Sequence, residues 1–145
     1  MAVNLRTCFV EKLLRLTEAM LYQIIGDAIE QNAEYIADLN RKQLSEGLNA
    51  HGDEITPDYT PATVSIKQKK GQPTDRVRLR DTGAFYESIF TDVFDRAFRL
   101  DATDEKTAEL RAKYGDILGL TDENKNRLAE HIKPYVIARI RAVIL

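Results

Sequence analysis

"FTDVFDRAFRLDA", residues 90–102, decides the fold class of this chain. As a helix it puts Phe90, Val93, Phe94, Ala97 and Phe98 on one side. As two strands, "IFTDVF" and "AFRLDA", it turns at Asp95-Arg96. Most of the remaining chain reads as helix or loop, so the first choice makes it almost all helical and the second α+β. Periodicity does not separate the two. The enrichment in aromatic and β-branched residues favours the hairpin.

Just upstream, "DRVRLRD" alternates. Val77 and Leu79 point one way, and Arg76, Arg78 and Arg80 the other, which predicts a short strand with one wet face. Asp81, Thr82 and Gly83 then turn the chain. Asp81 or Thr82 supplies a cap for the helical turn "AFYESI", and Gly83 lets the backbone turn tightly. Asp-Thr-Gly also occurs in aspartic proteases. That chemistry needs two carboxylates sharing one site, and the surrounding residues do not match.

The three arginines belong to a basic run with Lys67, Lys69 and Lys70. From Lys67 to Arg80, six cations stand against one Asp, in a chain of net charge −2. On an edge strand such charges are a solvated face that discourages edge-to-edge pairing. Alternatively they form a patch that orients a protein partner or tracks a phosphate backbone. The nearest aromatics in sequence, Tyr59 and Phe85, lie outside the run, so no stacking platform for bases is evident.

The flanks read as helix. Leu5, Phe9, Leu13, Leu16, Met20, Ile24 and Ile25 recur at three- and four-residue steps, with Asn4 as a cap. A second phase, Ala33, Ile36, Leu39 and Leu44, follows a plausible bend at Gln31-Asn32. This predicts two helices or one kinked helix, stopped by Gly47 and Asn49. Residues 49–62 are a connector broken by Gly52, Pro57 and Pro61. Thr60 and Pro61 open a short helical turn. Thr103 is expected to cap a helix ending before Gly115, and Thr121 a final helix with Pro134 inside it. The last turn is strongly apolar and calls for a docking partner, on this chain or a neighbour.

Composition bounds the function. The chain has 145 residues, 43% hydrophobic and 30% charged, consistent with one globular domain. A pI of about 5.7 lacks the basic footprint of a duplex-DNA binder. The lone Cys8 rules out an intrachain disulfide, suits a reducing, cytoplasm-like compartment, and reads as a small buried hydrophobe. Charges interrupt the N-terminal apolar run, so neither a signal peptide nor a membrane span is expected. The two histidines, His51 and His131, lie far apart with no second ligand at zinc spacing. Walker, dinucleotide-binding and nucleophile-elbow motifs are absent. No catalytic, cofactor-binding or metal-ligating residue is assigned.

The order of motifs resembles the phage virion-morphogenesis, or tail-completion, family of small neck and tail proteins. "YTPATVSIKQKKGQPTDRVRLRDTGAFYESIF" follows that family's "T…K" segment and its "L..TG.L..SI" turn. Thr63 and Lys67 fall on the first. Leu79, Thr82, Gly83, Phe85, Ser88 and Ile89 fall on the second. "DILGLTDENKNRLAEHIKPYVIARI" matches the approach to the last helix at Ile117, Leu118, Gly119, Leu120 and Thr121. The family's "YA..HQFG" strand is not evident; "DEKTAELRAKYG" stands there as helix.

The resemblance implies strands after the Thr-Gly helix, hence a β-hairpin at about 89–101. The expected fold is α+β and predominantly helical, in a single domain. A helical region spans 1–48, a loop with a small antiparallel sheet 49–101, and two C-terminal helices 102–145. The resemblance also implies a non-enzymatic bacteriophage structural protein. It would complete the tail or join it to the head connector by forming or docking onto a ring, as a homo-oligomer in the virion neck or tail, assembled in the host cytoplasm. Its partners would be connector, portal-side or tail-tube proteins, with possible contact to packaged DNA. In this picture Lys67, Lys69, Lys70, Arg76, Arg78 and Arg80 face a subunit or partner, while Asp81, Thr82 and Gly83 form a structural turn. The alternative is a small nucleic-acid-binding or regulatory helical protein of a mobile element.

Overall fold

The computed structural model describes residues 4–94 and 97–145, the side chains of Leu5 and Phe9 apart. The fold is α+β and predominantly helical, 57% helix with a two-stranded antiparallel sheet in mid-chain. The N-terminal region holds three helices, α1 (Leu5–Leu13), α2 (Glu18–Gln31) and α3 (Ala33–Ser45), rather than two or one kinked helix. The extra break lies at Thr17. Its backbone is extended, and its hydroxyl accepts from the Met20 amide, which starts α2 afresh. Asn4 caps α1 as expected, accepting from Thr7 N. The bend at Asn32 is also present, with its side chain donating to Ala28 O at 2.7 Å.

Helix α3 is the axis of the molecule. Ile36, Ala37, Leu39 and Leu44 are buried on it, and the core continues through Ile55, Val77, Phe85, Ile89, Leu100, Ile117 and Leu128. No described side chain of α1 belongs to that cluster; α1 packs on the C-terminal helix instead. For that reason Cys8, expected to be buried, is exposed.

The ambiguous segment is a hairpin. Strand β1 (Ile89–Phe94) pairs antiparallel with β2 (Ala97–Ala102), from Ile89 opposite Ala102 to Phe94 opposite Ala97. The expected turn residues, Asp95 and Arg96, lie outside the described residues. Thr91 donates its hydroxyl to Ala33 O at 2.7 Å, fastening β1 to the start of α3.

Four further helices behave differently from one another. Helix α4 (Pro61–Lys69) and the short α5 (Ala84–Ser88) form where the sequence placed them. Helix α6 (Thr107–Tyr114) starts later than expected. Thr103 is not its cap, because its amide extends the hairpin by donating to Ser88 O at 3.3 Å. Asp104 makes the turn instead, accepting from Lys106 N at 2.8 Å. Helix α7 (Asp122–Ile144) is capped by Thr121 and runs unbroken through Pro134. Among the described residues, no helix is long and apolar enough to cross a membrane.

Candidate functional site

The basic run begins on α4. Thr60 caps this helix by accepting from Thr63 N, and Pro61 occupies its first turn. Near its end, Lys67 reaches across to Arg80 O at 2.9 Å, its ammonium 4.9 Å from the Tyr59 ring centroid. Lys70 pairs with Asp81 at 2.8 Å, and Gln72 donates to Asp81 O at 3.0 Å. The basic end of α4 is thus tied to the Asp-Thr-Gly turn. These donors hold the Asp81 carboxyl below its usual range.

Residues 76–80 are not a strand, although Val77 and Leu79 are buried and Arg76 and Arg80 exposed. Leu79 has φ 56°, a left-handed conformation that interrupts an extended chain. The backbone of Arg78 meets two tyrosine hydroxyls where a strand would meet a ladder. Its amide donates to Tyr59 Oη at 2.9 Å, and Tyr86 Oη donates to its carbonyl at 2.6 Å. Burial pushes the Tyr86 phenol well above its ordinary value, which keeps it a donor.

The arginine side chains go to the end of α3. Arg78 Nε donates to Ser45 O at 2.9 Å, and Arg76 Nη1 to Glu46 O at 2.9 Å. These carbonyls form the negative end of the helix, so the guanidiniums cap it. Gly47 makes room, because a Cβ there would lie 2.6 Å from Arg76 Cδ. Arg78 also holds the Asp75 carboxylate, whose pKa falls to about 2, chiefly through that hydrogen bond. Arg80 lies over the Tyr86 ring, 5.5 Å from its centroid. The fold therefore brings aromatics to cations that sequence spacing kept apart. Lys67, Lys70, Arg76, Arg78 and Arg80 are gathered around one joint, whereas Lys69 is exposed on α4.

At the turn, Gly83 has φ 92°, as the turn requires. Thr82 Oγ1 accepts from Ala84 N at 3.2 Å, and Asp81 is not a cap. Beside the turn lies an open cavity of about 170 Å³, floored by Leu79, Phe85 and Leu110 and rimmed by Arg80 and Lys106. A cavity of about 150 Å³ takes one benzene-sized group, so this one suits a single side chain rather than a nucleotide.

Sequence reasoning missed a buried amide network. Asn40 and Gln43 lie on the inner face of α3, with Asn124 opposite them on α7, all three buried. Asn40 donates to Ile117 O, and Gln43 donates to Asn49 O and Gly119 O. Gln43 Oε1 accepts from Thr121 N and from Asn124 Nδ2, both at 3.0 Å. The one available signal was polar residues interleaved with Leu39 and Leu44 on the core phase. His131 stacks on Tyr35 with centroids 3.8 Å apart, and His51 meets Asp116. Comparison of the chain with protein-family models, with curated proteins and with solved structures gives no match.

Proposed function

We propose that this chain is a non-enzymatic structural protein of a bacteriophage neck or tail, acting by docking. The observation that carries this reading is the set of large apolar side chains left exposed, most of them on the first two helices and the last, with Ile66, Phe90 and Phe94 besides. Val10, Leu13 and Leu14 on and after α1, Tyr22 and Ile25 on α2, and Ile137 and Leu145 on and after α7 are exposed. Leu14 and Leu145 are 74% and 82% exposed. The core around α3 does not use them, and such a surface suits contact with other subunits. The order of elements supports the same reading: Thr-Gly turn, short helix, hairpin, "LGLT" link and long last helix. The joint around Arg78 then acts as a rigid brace that fixes the turn relative to α3.

Genetic complementation tests it. Disruption of the gene in a phage that carries it is expected to leave heads and tails unjoined or tails unfinished. Purified protein added to that extract is expected to restore infectious particles. Normal particles without the protein would refute the reading. DNA binding by the purified chain that is lost at high salt, with no effect on particles, would favour the mobile-element alternative.

A further inference from the structure

We infer that this chain associates head to tail with copies of itself, the Ile66–Lys69 ridge of α4 seating in the groove beside Gly26 on α2 of the next copy. This deepens the docking reading above by naming the two surfaces that meet. The first surface is a knob. Ile66 is 55% exposed on α4. Lys69 and Lys70 stand three and four residues on, hence on the same side of the helix. The second surface is a groove. Ala19, Tyr22, Gly26 and Val93 line it, with Asp27 and Glu30 along it, and it measures about 440 Å³.

The two surfaces are complementary in shape and in charge. Gly26 sits inside a helix, where glycine is a poor choice. Among the described residues, a Cβ built on it meets nothing within 4 Å, so they give no steric reason for it. Its effect is to keep the groove open to a side chain from outside. Helix α2 carries Glu18, Asp27 and Glu30 and no cation. Of the six cations between Lys67 and Arg80, five bond or stack within their own chain, and Lys69 stands exposed beside Ile66. Asp27 has Arg139 at 3.7 Å, and Lys70 has Asp81. Among the described residues, Glu30 and Lys69 make no ion pair. Opposed basic and acidic faces repel their own kind and attract each other, which favours this contact over a face-to-face one.

Within one copy the two surfaces belong to elements that pack elsewhere. Helix α2 packs on α7 and β1, while α4 is tied to the Asp-Thr-Gly turn. Contact between two different patches is heterologous, and repeated it gives a ring or an open filament.

The test is sedimentation of the full chain over a wide concentration range at low and high salt. Wild type is expected to form oligomers whose mass rises with concentration and falls with salt. Gly26→Leu fills the groove from within, and Ile66→Asp removes the knob. Each is expected to weaken association roughly tenfold or more. Circular dichroism and thermal melting are expected to show a fold intact in both, since Gly26 faces open space and Ile66 is exposed. Glu30→Lys or Lys69→Glu alone is expected to weaken association, and the two together to restore it. A wild type that stays monomeric at every concentration overturns the inference. So does an oligomer unaffected by both Gly26→Leu and Ile66→Asp. Particles that are normal without the protein would sink the neck-and-tail reading alone; a monomeric chain incorporated into particles would sink this one alone.

Discussion

Helix α3 is held at two places by side chains that bond to backbone, and the two differ in kind. On its inner face, Asn40 and Gln43 are 0% and 2% exposed and bond to the 117–121 link. At its C-terminal end, Arg76 donates to Glu46 O and Arg78 to Ser45 O, with side chains 44% and 25% exposed. The first clamp is neutral and dry; the second is charged and wet. Loss of a buried partner leaves groups that water cannot reach, whereas water takes over most of what an exposed cation gives up. The uncharged clamp should therefore be the stronger of the two.

Gln43→Leu is the largest test of that contrast. It strips partners from Asn49 O, Gly119 O, Thr121 N and the Asn124 amide together. The groups on residues 49, 119 and 121 are half-buried and the Asn124 amide buried, so each costs toward the low end of roughly 1–3 kcal/mol and the expected loss is about 3 kcal/mol or more. Urea unfolding measures it, and the loss should barely change with salt. A loss below about 1 kcal/mol would mean that water enters the link and the clamp is not dry.

Gly83→Val comes next. It sits at the far end of the brace, with φ 92° and open space around the missing Cβ. The cost is therefore backbone strain rather than a clash, about 2 kcal/mol for a β-branched residue. A variant as stable as wild type would show that the turn flattens without penalty. Arg76→Ser with Arg78→Ser is expected to cost less, about 1 kcal/mol, since both guanidiniums are partly solvated. Added salt should shrink that difference, unlike the one at Gln43. Equal salt dependence would erase the distinction between the clamps.

The two clamps also show how far sequence reaches. Helix caps at Asn4, Thr60 and Thr121 were legible because the cap and its amide lie three residues apart. The hairpin followed from aromatic and β-branched content together with the order of motifs. The arginine segment was misread as a strand, though its in-out alternation of burial was right. Alternation reports which side chains are buried, not what satisfies the backbone between them. Here Tyr59 and Tyr86, 19 and eight residues from Arg78, stand in for a strand. The helix-capping role of Arg76 and Arg78 spans 30 and 33 residues, beyond any local pattern. The clamp made by Asn40 and Gln43 escaped for the same reason, since its bonds to the 117–121 link span 76–79 residues.

The smallest expected effect separates the clamps by pH. Arg78 lowers the Asp75 carboxyl from 3.8 to about 2 in the folded chain. A depressed carboxylate contributes stability above its unfolded pKa and loses it as pH falls through the folded value. The contribution of Asp75 is therefore whole at neutral pH and fades between 3.8 and about 2. Asp75→Asn abolishes the titration and loosens Arg78 at every pH. The stability difference between wild type and Asp75→Asn should thus be constant near neutrality and shrink below about pH 4. The deficit of Gln43→Leu has no such titration and should stay level through the same window. Unfolding midpoints in urea, taken at intervals down to acid, compare the two directly. A difference at Asp75 that persists unchanged into acid would mean that the ionised carboxylate is not what Asp75 contributes; no difference at any pH would mean that Arg78 is held without it.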